Sequence, residues 1–177
     1  RDKREIAIFN MIDHSFKVTL LEYLVPYNIE FYNYINNYSL DNFEYNSNSF
    51  FLSAKDEDLK IKINKHIAPI LEEHKIILSE SWIQKYNEFQ FHDMHTHGTG
   101  KCLSFVWYID CTENSSKTIF HNQGYPYIDT HKLIVTPQKN KLILFDGTIP
   151  HYVLPNKDKT RLIIGGNLIK PEKFGHQ

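Results

Sequence analysis

The chain has 177 residues, 41% of them apolar, with 20 basic and 21 acidic side chains and a formal net charge of -1. These values are ordinary for one soluble globular domain, and the lack of a Lys/Arg block argues against binding to nucleic acid or to an anionic membrane. We therefore expect a single domain over 1–177 with a small-molecule or peptide partner, and a homodimer is left open.

Two features indicate the compartment. Cys102 and Cys111 are too few to frame a disulfide-rich secreted fold, so reduced thiols are the simpler interpretation. The opening residues RDKREIAIFNMIDH are charged and contain no secretory apolar run and no stretch long enough to span a bilayer. We expect a cytoplasmic protein.

The first half of the chain has helical spacing. Apolar residues recur every three or four positions through LLEYLVPYNIEFYNYINNY and through DEDLKIKINKHIAPILEEHKIILSESWIQKY. Asp56, Glu57 and Asp58 favour a helix start. Residues 1–81 are thus predicted to be a mainly helical support region. The aromatic and Asn-rich tract 32–51 fits either a helix with a long loop or a lid.

The second half is rich in short β-type runs separated by Gly, Pro, Asn and Ser. These runs are EFQFHDMH, CLSFVWYID, KTIFHN, HKLIVTP, KLILFDG, HYVLP and TRLIIGGNLI. About seven strands at regular spacing predict a sandwich or a jelly roll over 82–170, with CLSFVWYID and KLILFDG as central strands and the helices packed on one sheet. The predicted fold class is mainly β with N-terminal α structure.

The stretch FQFHDMHTHGTG concentrates histidines on one predicted strand. Side chains two positions apart on a strand point the same way, so His95 and His97 can bind one ion. Asp93 lies on the same predicted face, while His92 and Met94 lie on the other. A His-x-His pair in a chain with ten histidines is weak support for a metal site when taken alone.

A third ligand has to come from elsewhere in the chain. His151 follows the strand KLILFDG and begins a late strand, and a jelly roll brings such a position to the same open end as the early histidines. Arg161, ten residues further on, begins the last strand. Its guanidinium could reach the same cavity and hold a carboxylate through two bonds.

The order Tyr86, His95-x-His97, His151 and Arg161 resembles the double-stranded β-helix of the iron(II)- and 2-oxoglutarate-dependent oxygenases. That family carries His-x-Asp/Glu, a distal His, and an Arg or Lys beyond it. LSFVWYID, ILFDGTIPHYVLPN and RLIIGGNLI are similar to strands of a bacterial and phage subgroup of the family. The resemblance covers residues 82–169.

The resemblance implies a set of site residues. His95 and His151 would bind iron(II), Arg161 would hold the distal carboxylate of 2-oxoglutarate, and Tyr108 and Tyr86 would help to bind this cosubstrate. The departure from the family lies at position 97, where the family has Asp or Glu. Either His97 completes a three-histidine metal site, or Asp93 supplies a carboxylate. Our catalytic and metal-ligand set is His95, His97 and His151.

The implied activity is that of a dioxygenase that uses O₂ and hydroxylates a C–H bond of an amino acid, peptide or small metabolite. Two alternatives stay open: a three-histidine cupin-type thiol dioxygenase that needs no 2-oxoglutarate, and a catalytically silent ligand-binding barrel. His92 and His121 are predicted to lie outside the ligand set. Asn122 and Asn167 are weaker candidates for substrate contact.

Overall fold

The computed structural model describes residues 20–38, 44–46, 51–54, 57–98, 102–122 and 131–171. Within these ranges no helix combines the length and apolar character needed to cross a membrane. The elements in chain order are β1 (Leu20–Leu24), α1 (Ile29–Asn36), β2 (Glu44–Asn46), β3 (Phe51–Ala54), α2 (Glu57–His74), β4 (Ile77–Asn87), β5 (His92–His95), β6 (Cys102–Asp110), β7 (Thr118–His121), β8 (Lys132–Val135), β9 (Lys141–Asp146), β10 (His151–Val153) and β11 (Thr160–Ile169).

The strands form two antiparallel sheets. The larger sheet has the order β1-β9-β6-β11-β4-β3-β2, and the smaller has the order β5-β10-β7-β8. This arrangement confirms the predicted double-stranded β-helix. β6 and β9 are interior strands, as predicted. β11 follows every strand of the sheet in sequence and yet lies between β4 and β6, with which it makes its longest ladders.

Alternation along β6 divides the core into two parts. Trp107 and Ile109 pack with the helices in one buried cluster, which contains Leu59, Ile63 and Ile67 of α2. These three residues recur every four positions and so share one face of the helix. Val106 and Tyr108, which point the other way, pack between the two sheets. The predicted packing of the helices on one sheet is therefore confirmed.

The helical prediction is wrong for two segments. LLEYL is β1, which pairs with β9, and the residues after α2 form the eleven-residue β4. Lys75 has a φ of 53° and ends α2 in the left-handed conformation typical of helix C-termini. The partners of β4 are β3 and β11, and most of that pairing is remote in sequence. Long-range pairing of this kind outweighs local helical spacing.

Two smaller boundaries also differ from the sequence prediction. EFQFHDMH is not one strand, because a turn with Phe89 at a φ of 65° comes before β5. Within the tract 32–51, α1 ends at Asn36 and a short strand covers Glu44–Asn46. Residues 39–43 and 47–50 fall outside the described ranges, so the prediction of a long loop or a lid in this tract lies partly outside them.

Candidate active site

Three imidazoles meet in a cavity that is lined by residues of both sheets. His95 ends β5, His97 follows two residues later, and His151 begins β10 directly opposite His95 in the strand register. One ring nitrogen of each residue lies within 4.8 Å of the corresponding nitrogens of the other two, and the Nε2 atoms of His95 and His97 are 3.0 Å apart. The structure thus brings together the three histidines that the sequence places in the metal set.

The opposite nitrogen of each ring faces a hydrogen-bond acceptor. The acceptors are the main-chain carbonyl of Asp93 for His95 (2.8 Å), the side-chain carbonyl of Asn167 for His97 (2.9 Å) and the main-chain carbonyl of Ile149 for His151 (2.9 Å). Each Nδ1 therefore carries the proton and donates it, which leaves a lone pair on each Nε2. These are the bonds that orient imidazole ligands around metals.

Convergence of three lone pairs is unfavourable unless a cation lies among them. Metal–nitrogen bonds of about 2.1 Å at right angles separate two ligand nitrogens by about 3.0 Å. The Nε2 atoms of His95 and His97 already have this spacing. The donor set consists of neutral imidazoles, which suit iron, zinc, copper and nickel.

A bulge in β5 changes the predicted faces. Between His95 and His92 the strand advances three residues while β10 advances two, from His151 to Val153. The additional residue breaks the alternation of side chains. The ring of His92 stacks on that of His95 with centroids 3.7 Å apart and lines the same cavity, so the prediction that His92 faces away is wrong. The side chain of Asp93 is exposed and does not join the metal-binding group.

Burial keeps the imidazoles of His92, His95 and His151 neutral. It lowers the pKa of His95 to about 4 and that of His92 to about 2, and it holds the pKa of His151 well below its usual value. Neighbouring imidazoles lower all three further, since two positive charges at this spacing repel. Neutral rings near pH 7 are available as ligands without first losing a proton.

The metal-free protein is expected to lose stability as the pH falls below 6.5. A histidine whose pKa is lower in the folded than in the unfolded chain takes up its proton on unfolding, so acid favours the unfolded state. Each such ring lowers the free energy of unfolding by about 1.4 kcal/mol per pH unit below its unfolded pKa. Urea unfolding with a chelator, from about pH 7 to about pH 5, measures this slope. His92→Phe keeps a stacking ring and is expected to reduce the slope by one proton; an unchanged slope would contradict the lowered pKa of His92.

Arg161 lies in the same cavity and is completely buried, with 0% of its side chain exposed. Its guanidinium carbon lies 4.8 Å from the ring centre of Tyr86 and 5.4 Å from that of Tyr108, and its Nη2 donates to Thr118 Oγ1 at 2.9 Å. Nε and Nη1 have no hydrogen-bond partner in the part of the chain that the structure describes. The two ring contacts are favourable, but a buried cation with two unused donor nitrogens is costly unless an anion binds to it.

The hydroxyl groups around Arg161 stay protonated. Burial raises the pKa of Tyr86 to about 12 and also raises that of Tyr108. Tyr108 shares a 2.8 Å hydrogen bond with Thr118, and Tyr86 donates to Gln84 at 3.0 Å. Thr118 and Gln84 could not be identified from the sequence, because a single Thr or Gln within a strand carries no signal of its own. Tyr86 and Tyr108 lie beside Arg161, where a cosubstrate role would require them.

The remaining candidates do not face the cluster of Nε2 atoms. Asn167 accepts from Nδ1 of His97 on the opposite side of the ring, where it is placed to orient this imidazole. His121 and Asn122 line a different cavity beside β8, together with His131. Among the described residues, the group of side chains that could hold a metal consists of the three histidines named above and does not include His121.

The chain is similar to known proteins in its fold and not in its sequence. No model of a protein family matches the sequence, and no curated protein matches it. Among solved structures, a prolyl-4-hydroxylase from Pseudomonas putida is 12% identical with a TM-score of 0.66, and the match covers 87% of this chain and 94% of that one. A viral collagen prolyl hydroxylase from Paramecium Bursaria Chlorella virus-1, in complex with 2-oxoglutarate, is 15% identical with a TM-score of 0.62 and coverage of 86% and 96%.

A third similar structure is HygX from Streptomyces hygroscopicus with nickel, 2-oxoglutarate and hygromycin B bound. It is 9% identical with a TM-score of 0.63, and the match covers 89% of this chain and 84% of that one. At such identities the likeness concerns the fold. The chain therefore has the same double-stranded β-helix fold as these three structures.

Proposed function

We propose that the protein is an iron(II)- and 2-oxoglutarate-dependent dioxygenase that hydroxylates a C–H bond of an amino acid, a peptide or a small metabolite. The observation that carries this proposal is the buried Arg161, whose Nε and Nη1 lack partners among the described residues and which lines one cavity together with the three imidazoles. A dicarboxylate that reaches from a metal to this guanidinium would satisfy both groups.

His95, His97 and His151 would hold the metal through their Nε2 atoms. Bound iron(II) would supply the reaction of O₂ with 2-oxoglutarate, which yields succinate and CO₂ and oxidises the substrate. Three neutral ligands leave the charge of a divalent ion uncompensated by the protein. A dianionic cosubstrate would place one carboxylate at the metal and the other at Arg161, which offsets part of the metal's charge and that of the guanidinium and favours 2-oxoglutarate over a neutral ligand.

The chain's own groups would position the cosubstrate and exclude water. Nε and Nη1 of Arg161 have donors that the described residues do not use, while Nη2 donates one of its two N–H groups to Thr118. Because Cδ lies between Nε and Nη1, a carboxylate would accept from Nη1 together with the second N–H of Nη2, or from Nε. The rings of Tyr86 and Tyr108 cover the guanidinium and keep it out of solvent, since all three side chains are 0% exposed. A hydrogen-bonded charge pair gains strength in such a dry site.

A three-histidine thiol dioxygenase is the second candidate, and the imidazole at position 97 favours it specifically. Such an enzyme needs no 2-oxoglutarate. It accounts for the metal site but assigns no role to the two unused donors on a buried guanidinium. We therefore place 2-oxoglutarate dependence first.

The test is anaerobic addition of iron(II) and 2-oxoglutarate to the purified protein. We expect a weak visible charge-transfer band, followed by succinate formation when O₂ is admitted. Glutarate, which has both carboxylates but no keto oxygen, should give no band and serves as the control. Bound iron without a band would overturn the proposal in favour of thiol oxidation. A protein that binds no iron would overturn it in favour of the catalytically silent ligand-binding barrel.

A further inference from the structure

His97 is connected to side chains on three adjacent strands of the large sheet. Asn167 of β11 lies opposite Glu80 of β4 on one side and opposite Ser104 of β6 on the other. Its Oδ1 accepts from His97 Nδ1 at 2.9 Å and from Ser104 Oγ at 2.8 Å, while its Nδ2 donates to Glu80 Oε1 at 2.6 Å. The strand register thus links the carboxylate of Glu80, through Asn167, to His97. This is the imidazole that stands where the oxygenase family has Asp or Glu.

We infer that Glu80 and Asn167 are positioning residues that hold His97 in the tautomer able to bind a metal. This inference rests on the metal site of the proposed function and deepens it. His97 differs from its two companions, because their Nδ1 atoms donate to main-chain carbonyls that cannot exchange roles. Only the His97 ring depends on a side chain whose two ends can be interchanged.

The direction of the hydrogen bonds follows from Glu80. A carboxylate has only acceptor atoms, so the end of Asn167 that faces it must be the NH₂ group. The carbonyl oxygen of Asn167 then points toward His97 and can only accept. His97 Nδ1 must therefore carry the proton, and its Nε2 keeps the lone pair beside the Nε2 of His95, 3.0 Å away.

Loss of this direction would disable the ligand. If the residue at position 80 could both donate and accept, the amide of Asn167 could turn over and present its NH₂ group to His97. The ring would then accept at Nδ1 and carry its proton on Nε2. A protonated Nε2 cannot bind a metal, so each turned-over molecule would lose one of three ligands.

The test begins with Glu80→Gln, which keeps the size of the side chain and removes the acceptor-only character. The imidazole ¹⁵N shifts of the metal-free protein report each tautomer, and titration with nickel(II) reports the affinity. We expect the His97 signals to change from a single Nδ1–H form to a mixture, with a loss of about tenfold to hundredfold in nickel affinity. His95 and His151 should keep the Nδ1–H tautomer, because their Nδ1 atoms face main-chain carbonyls, and this provides an internal control. Glu72→Gln, the same substitution at an exposed position of α2, should have no effect.

A second substitution should restore the site. In Glu80→Gln combined with Asn167→Asp, the glutamine amide donates to the new carboxylate, which can only accept from His97. The Nδ1–H form and most of the nickel affinity should return. Asn167→Asp alone brings two carboxylates together, so we expect it to be destabilised relative to the double variant.

Two results would overturn the inference: an unchanged His97 tautomer and nickel affinity in Glu80→Gln, or no recovery in the double variant. Neither readout requires 2-oxoglutarate or turnover. If the tautomer and affinity respond as expected while no charge-transfer band forms with 2-oxoglutarate, the positioning role holds and the oxygenase proposal fails.

Discussion

Replacement of Arg161 by methionine is expected to abolish binding of 2-oxoglutarate and to leave the ligand-free protein at least as stable as the wild type. The guanidinium is fully buried and two of its nitrogens have no partner among the described residues. Loss of a charge-assisted bond to a buried carboxylate costs about 3 kcal/mol or more, which weakens binding more than a hundredfold. An apolar side chain of similar length removes the cost of burying the charge, so the free energy of unfolding should stay constant or rise by about 1–4 kcal/mol.

Calorimetry with 2-oxoglutarate in the presence of nickel(II) measures the first effect, and urea unfolding of the ligand-free protein measures the second. Lys157→Met, at an exposed loop position, removes an equal charge and should change neither. If Arg161→Met were strongly destabilised and still bound 2-oxoglutarate with wild-type affinity, the arginine would be a structural residue and the cosubstrate would bind elsewhere.

Replacement of His151 by alanine is expected to remove most of the metal affinity. His151 is 3% exposed and contributes one of three convergent nitrogens. The loss of one ligand from such a set is on the order of 3 kcal/mol, about two powers of ten in the dissociation constant. Titration with nickel(II), followed by equilibrium dialysis, gives the constant for each variant.

His121→Ala supplies a closely matched control. His121 is also buried, at 6% exposed, and lies on β7, which pairs with β10. Both substitutions remove a buried imidazole from the smaller sheet, so their effects on stability should be similar. Only the His151 variant should lose the metal. Equal losses of metal affinity in the two variants would show that the three-histidine group is not the binding site.

The proximity of the histidines could be predicted because it depends only on strand ends and on the fold class. A histidine at the end of one strand and a histidine at the start of another become neighbours once the jelly roll is assumed, and His95 and His151 are indeed register partners. The position of His92 could not be predicted, because the bulge that turns it toward His95 is a property of the pairing with β10. Thr118 and Gln84 escaped notice for the same reason: their roles depend on residues that lie opposite them in space.

The helical errors have a different origin. Spacing at three and four residues in LLEYL and in the residues of β4 satisfies a helical pattern, and nothing local excludes it. The neighbouring strands determine that these segments are extended. LLEYL pairs with β9, and the residues of β4 pair with β3 and β11. Glu80 was overlooked because it lay within a stretch assigned to helix, where no link to Asn167 could be drawn.

The central place of β11 also bears on how the chain is made. A growing polypeptide completes β4 and β6 long before residues 160–169 leave the ribosome, and the partners Glu80 and Asn167 are separated by 87 positions. Until β11 arrives, two long strands present unpaired main-chain edges, which readily recruit other chains. A chain truncated before β11 would therefore aggregate instead of forming a partly active barrel. The strand that carries Arg161 is also the strand that joins β4 to β6.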